Sequence, residues 1–281
     1  MKRKLLALFL ALVMVISLVS CGTSNNTGND NAAGDNTGNS NNVTAPEVEL
    51  IVFAAASLTE TMDEIIENYK AVAPNVTIIA TYDSSGTLLD QIQSGAVCDL
   101  FLSAAPKQMD ALDKEGSLLE GTRLDLLENK VALAVPKGNP KGIESFNQLA
   151  QLLKDSDVFM AVGNSDVPVG QYTQKIFAYY ELDEDALAAN GLLTYGSNVK
   201  EVTTQVTEAT VDCGVIYATD AFSAGLTTVD GATAEMCGQV IYPAAVIGAT
   251  EHPDEARAFL EYLTTSAAGD VFASVGFTPL T

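Results

Sequence analysis

The sequence predicts an α/β fold with mostly parallel sheets covered by helices on both faces. Three observations carry that expectation. Between residues 48 and 281, short apolar runs rich in Val, Ile and Ala alternate with segments whose apolar residues recur every three or four positions. The alternation repeats along the whole stretch, and repeated βα units place helices against the faces of a sheet. The stretch is also long enough for two lobes or one large domain.

Taken in order, 48–53 is a strand, and Leu58, Met62, Ile65, Ile66 and Tyr69 then share one helical face. A second strand spans 76–82, followed by a helix carrying Leu88, Leu89 and Ile92. Residues 99–103 form a short buried strand and 107–114 a helix. The strand 131–135 is stopped by Pro136 and the Gly138-Asn139-Pro140 turn. A helix around 149–153 and a strand at 158–162 continue the pattern. Next come a helix over 172–180, a helix with Val199, Val202 and Val206 on one stripe, and a strand at 214–217. A strand at 239–247 and a helix opened by Pro253, with Ala256, Phe259, Leu260 and Leu263 on its apolar face, complete the series. No internal repeat is evident.

The first 46 residues follow other rules. Lys2, Arg3 and Lys4 precede an apolar run over 5–18, the layout of a secretory signal. The run ends at Leu18-Val19-Ser20-Cys21-Gly22, which resembles the bacterial lipobox, whose Cys becomes the lipidated first residue of the mature chain. An ordinary cleaved signal with an incidental cysteine is the alternative. Residues 22–46 are almost entirely Gly, Asn, Ser, Thr, Ala and Asp, too polar to bury a core and suited to a tether.

Of the 14 Lys and Arg residues, three lie in the signal, leaving 11 against 36 acidic residues and a net charge of −25. No basic stripe exists, which excludes nucleic-acid binding. Beyond Cys21 the cysteines are Cys98, Cys213 and Cys237, with no C-x-x-C pair. They read as small buried apolar residues, with one disulfide left open.

In open α/β sheets, ligands bind beyond the carboxyl ends of strands, where helices start. Ala54-Ala55-Ala56-Ser57-Leu58-Thr59 and Asp83-Ser84-Ser85-Gly86-Thr87 each follow a strand directly. Each offers a hydroxyl and unpaired N–H groups at a positive helix end, which suits an anion. Ser57-Leu58-Thr59-Glu60 is also a sound capping box, so Ser57 reads equally well as satisfying its own helix. Val167-Pro168-Val169-Gly170-Gln171 and Gly196-Ser197-Asn198-Val199 precede two further helices, and Tyr217 closes a strand, where a phenol reaches a ligand or packs in the core. The named residues of these segments include no Lys or Arg, although Lys200 follows Val199. Neutral hydroxyls and amides would have to hold an anion, at roughly 1.5–3 kcal/mol per bond to charge.

Val52-Phe53-Ala54-Ala55-Ala56-Ser57-Leu58-Thr59 resembles the opening signature of the bacterial molybdate-binding periplasmic protein family. The resemblance continues through Tyr82-Asp83-Ser84-Ser85-Gly86-Thr87-Leu88, Asp99-Leu100-Phe101-Leu102-Ser103-Ala104, Val167-Pro168-Val169-Gly170, Gly214-Val215-Ile216-Tyr217-Ala218-Thr219-Asp220-Ala221 and Gly276-Phe277-Thr278. It implies a two-lobed periplasmic-binding-protein fold of type II, each lobe a mixed β-sheet flanked by helices. The lobes would comprise 47–130 with 240–281, and 131–239, behind a signal at 1–20 and a lipidated Cys and linker at 21–46. It further implies an oxyanion, molybdate or tungstate, in the interlobe cleft. Ser57 and Ser85 would donate hydroxyl and amide bonds, Val169 and Val199 backbone N–H bonds, and Tyr217 its phenolic O–H. No direct metal ligand and no cofactor are implied. The partners would be an ABC permease and, through the anchor, the extracytoplasmic face of the cell membrane, with the protein a monomer. Two positions depart from the pattern: Gly86 stands where a third Ser is common, and Val169 where Ala is usual.

Three rivals remain. A sulfate- or phosphate-binding protein of the same fold is the nearest, although neutral donors disfavour a protonated phosphate. A secreted Ser hydrolase using Ser57 or Ser85 lacks a base: the sole histidine, His252, lies in the charged turn Glu251-His252-Pro253-Asp254, read as exposed, and no G-x-S-x-G elbow is present. A purely structural or adhesive lipoprotein would have no use for helix starts with free donors.

Overall fold

The computed structural model describes residues 46–281. The signal segment, Cys21 and all but the last residue of the linker fall outside the described residues. β1 (Val48–Ala55) leads through a single 3-10 turn, Ala56–Leu58, into α1 (Thr59–Tyr69). β2 (Val76–Asp83) pairs parallel with β1 and runs into α2 (Ser85–Gln93). β3 (Leu100–Leu102) lies on the other edge of β1, and α3 (Pro106–Lys114) and β4 (Leu124–Asn129) follow. Lys130 alone separates β4 from β5 (Val131–Val135), which belongs to a second sheet. That sheet is completed by β6 (Met160–Gly163), β7 (Leu193–Gly196), β8 (Cys213–Tyr217) and β9 (Thr227–Gly231). Its stretch of chain carries α4 (Phe146–Lys154), α5 (Pro168–Tyr179), α6 (Glu184–Ala189), α7 (Val199–Thr207), α8 (Ala218–Ser223) and α9 (Ala234–Cys237). The chain returns to the first sheet with β10 (Val240–Val246), then α10 (Pro253–Leu263), α11 (Ser266–Ser274) and β11 (Thr278–Pro279).

The strand orders are β11-β4-β10-β3-β1-β2 and β7-β6-β8-β5-β9. Each sheet with its helices is one lobe. Both sheets are mixed, which corrects the mostly parallel arrangement expected from the βα pattern. β10 runs antiparallel to β3 and β4, and β5 runs antiparallel to β8 and β9. These are the strands the chain enters when it changes sheet, without a crossover helix packed on that sheet to set their direction. Composition gives no warning, because Val-Ala-Leu-Ala-Val at 131–135 is equally apolar in either direction.

β1 shows how the first sheet is buried on both faces. Successive side chains point to opposite sides. Leu50, Val52 and Ala54 join Met62, Ile65 and Phe259 of α1 and α10 in the main core. Phe53 joins Phe101, Leu88, Met109 and Leu112 on the other face, against α2 and α3. Tyr69 at the end of α1 stacks at 4.8 Å on Phe259 and 4.9 Å on Tyr262, fixing α1 to α10. Cys98, Cys213 and Cys237 are buried free thiols, which leaves no disulfide among the described residues. Burial pushes the Cys98 thiol up to about 12, so it is an inert filler rather than a reactive group.

Candidate functional site

Helix starts from both lobes meet at one cavity. Its wall takes Ala55, Ala56 and Ser57 from the end of β1, and Asp83, Ser84 and Ser85 from the end of β2. Ala104 follows β3, Val167, Pro168 and Val169 open α5, Val199 opens α7, and Tyr217 ends β8. The cavity holds about 200 Å³ of atom-free space. Ser57, Ser85, Val169, Val199 and Tyr217, the five residues singled out in the sequence, all line it, and none is more than 5 % exposed.

The hydrogen bonds around the two serines decide what their hydroxyls have left to offer. Ser57 is not a helix cap. The 3-10 turn moves the start of α1 forward, its N-cap is Leu58, and no side chain caps it. Ser57 Oγ instead lies 2.9 Å from the Tyr242 hydroxyl of β10. Asn129 Nδ2 donates to that same phenol at 3.1 Å, and either hydroxyl of the Ser57–Tyr242 pair can be the donor. With the phenol as donor, Ser57 accepts from behind and its own proton is free to turn to the cavity.

Ser85 is arranged alike. Its neighbour Ser84 caps α2, accepting from the Thr87 N–H at 3.0 Å. Ser85 Oγ accepts from the Ala104 N–H at 2.9 Å, again leaving its O–H to donate. The Tyr217 hydroxyl goes further. It is fully buried and has no hydrogen-bond partner among the described residues. Burial holds its pKa well above the ordinary phenol value, so it stays a proton donor. Val169 and Val199 stand in the first turns of α5 and α7, where N–H groups have no partner within the helix. Three hydroxyls and the starts of several helices therefore converge on a space walled otherwise by Ala, Val and Pro, with Ser84 and Asp83 at the end of β2. Such a set fits a small ion that accepts on every side and is wrong for a cation.

No Lys or Arg lines the cavity. Its single carboxylate, Asp83, is engaged: Oδ1 accepts from the Ser84 N–H at 2.7 Å and from Asn198 Nδ2 at 3.3 Å. His252 lines a different groove, with Glu49 and Asp99, and is half-buried rather than exposed; its backbone N–H is held by Thr250.

Residues 50–278 match the family model described as bacterial extracellular solute-binding protein. The chain belongs to that family. YvgL of Bacillus subtilis, provisionally named an ABC transporter substrate-binding lipoprotein, is 34% identical over 88% of this chain and 92% of its own. The molybdate-binding protein ModA of Haemophilus influenzae is 30% identical over 83% of this chain and 91% of its own. A solved structure, the substrate-binding domain of a provisionally named molybdenum ABC transporter from Clostridium difficile, is 33% identical with a TM-score of 0.63; the match covers 84% of this chain and 100% of that one. These relatives place the protein among the ABC-transporter substrate-binding proteins that include the molybdate-binding members.

In a solute-binding protein the contacts across the cleft matter as much as those within each lobe. Three such contacts flank the cavity. Asn198 of the second lobe donates to Asp83 of the first. Lys200 Nζ, at the start of α7, bonds both Glu60 oxygens on α1, at 2.8 and 2.7 Å, and lies 3.2 Å from Asp220 Oδ1. Burial raises the Asp220 carboxyl to about 6 against the lowering effect of Lys200, and neither of its oxygens has an aligned hydrogen bond. Finally, Gly86 lies against the Asp166 carbonyl. A Cβ there would stand 2.3 Å from that oxygen, so the lobes close on bare backbone at this position.

Sequence reasoning missed Tyr242, Asn129 and Ala104, which orient the two serines. No local signal could have found Tyr242, which meets Ser57 across 185 positions of sequence.

Proposed function

We propose that this solute-binding protein captures molybdate, and tungstate through the same contacts, and hands it to an ABC import permease from a lipid anchor on Cys21. The observation that carries the reading is the set of three buried hydroxyls, on Ser57, Ser85 and Tyr217, that line one cavity with helix starts from both lobes and no Lys or Arg among the lining residues. A fully deprotonated tetrahedral dianion supplies acceptors in every direction. Each bond to it contributes roughly 1.5–3 kcal/mol, so a handful offsets the loss of its hydration without any cation in the wall. Monoprotonated phosphate fits worse, because its O–H would face another donor.

Donors from both lobes surround the cavity, so the anion binds the closed form more tightly than the open one and shifts the population toward closure. The closed form is what the permease would engage. Isothermal titration of residues 46–281 with molybdate, tungstate, sulfate and phosphate tests this. One-to-one binding of molybdate and tungstate with sulfate and phosphate silent is expected. Sulfate binding in place of molybdate would keep the site and change the cargo, and silence from all four would refute the reading.

A further inference from the structure

Two further cavities are lined by residues of both lobes, and the two differ in charge. On one side lies a cavity between α3 and α5 with about 1210 Å³ of atom-free space, open to solvent. Lys107 and Lys175 line it with Gln171, Gln174 and Gln239. Its one carboxylate, Asp110, is already paired with Arg123. Neither lysine meets a carboxylate among the described residues. Lys175 donates to the Cys237 carbonyl at 3.3 Å, with its ammonium 5.0 Å from the Tyr172 ring centroid. On the other side, a cavity beside α1, α7 and α8 is lined by Glu60, Glu208 and Asp220 against the single Lys200, which two of them neutralise.

A dianion approaching this chain, of net charge −22 and −25 without Lys2, Arg3 and Lys4, is repelled at long range. Only the side with two uncommitted ammonium groups reverses that locally. This side is also close to the buried site. Ala105 and Pro106 in its wall follow directly on Ala104 of the inner cavity. Tyr172, also in its wall, sits one helical turn from Val169 and packs edge-on against Tyr217, with ring centroids 6.3 Å apart.

We propose that the cavity between α3 and α5 is the vestibule through which the anion enters, where Lys107 and Lys175 gather it while still hydrated. The inference rests on the oxyanion reading above and adds a route and two steering residues to it. The sequence has nine Tyr and no Trp, so stopped-flow tyrosine emission of the mature chain can report association and dissociation of molybdate. The double variant Lys107→Gln/Lys175→Gln is expected to associate roughly ten-fold more slowly at low salt, with a flatter salt dependence and an unchanged dissociation rate. Lys114→Gln/Lys137→Gln removes the same charge from positions lining neither cavity and is expected to slow association far less. Because Lys175 also touches the Cys237 carbonyl, Lys107→Glu serves as the second variant; slower association with an unchanged melting temperature supports the vestibule. Equal slowing in the two double variants, or no slowing in the first, would overturn it. A wild-type protein silent to every oxyanion in the calorimeter would overturn the binding reading beneath it as well, and the two failures are distinguishable.

Discussion

The two lobes reach one cavity with different chemistry. The first supplies side-chain hydroxyls, Ser57 and Ser85, each held from behind by a group of its own lobe, the Tyr242 phenol and the Ala104 N–H. The second supplies helix starts at Val169 and Val199, whose side chains carry no polar atom, and one phenol, Tyr217. A hydroxyl exists only while its residue does, whereas a first-turn amide survives any substitution but Pro. The first lobe should therefore be fragile to mutation at the site, and the second robust except at Tyr217.

The largest effect is expected at Ser85. Ser85→Ala removes a donor to the anion, about 1.5–3 kcal/mol of binding, and leaves the buried Ala104 N–H without an acceptor, a further 1–3 kcal/mol of stability. Calorimetry should show the first loss and thermal unfolding of the anion-free protein the second. Near-normal affinity would break the account of the first lobe. Ser57→Ala should follow the same pattern, because the buried Tyr242 hydroxyl loses its Ser57 partner and keeps only the bond it accepts from Asn129.

Tyr217→Phe separates affinity from stability. The variant loses one hydroxyl donor, so affinity should fall roughly 10- to 150-fold. The phenol has no partner among the described residues, so the anion-free protein should unfold at the same temperature or higher. A fall in both would mean that Tyr217 serves the core rather than the ligand.

What the sequence disclosed follows the same division. Hydroxyls directly after strands, at Ser57 and Ser85, could be read as candidates because strand, turn and helix start are local features. Their orientation could not: that of Ser57 depends on Tyr242 and Asn129, brought together by β10 returning beside β4, and that of Ser85 on the Ala104 N–H after β3. The βα rhythm gave the α/β class and most helices, but not the direction of β5 and β10, which depends on where the chain changes sheet. Short elements also escaped. β4 (Leu-Asp-Leu-Leu-Glu-Asn) mixes charge into its run, and α11 has only Val271 and Phe272 as large apolar residues, too few to show a helical period. The capping box at Ser57 misled because a 3-10 turn displaced the helix start, something the motif cannot reveal.

Gly86 tests the meeting of the lobes rather than either one. Gly86→Ala would place a Cβ against the Asp166 carbonyl only when the cleft is shut. Overpacking of this kind costs about 1–3 kcal/mol, here borne by the closed form alone. Affinity should fall while the melting temperature of the anion-free protein holds, and small-angle scattering at saturating molybdate should show a larger radius of gyration than wild type. Unchanged affinity would mean that binding does not require the two lobes to meet at this point.

The smallest effect is expected at Val169, and it is the sharpest check on the asymmetry. Val169→Ala keeps the amide and removes two methyl groups from the cavity wall. Molybdate affinity should stay within roughly three-fold, since the donor is the backbone and the helix start is unaltered. Val199→Ala should behave alike. Any change should appear in selectivity, because a wider wall relaxes the fit around the ion and lets the larger of two like-charged oxyanions gain on the smaller. A loss comparable to that of Ser85→Ala would mean that the second lobe, too, binds through its side chains, and the contrast between the lobes would fail.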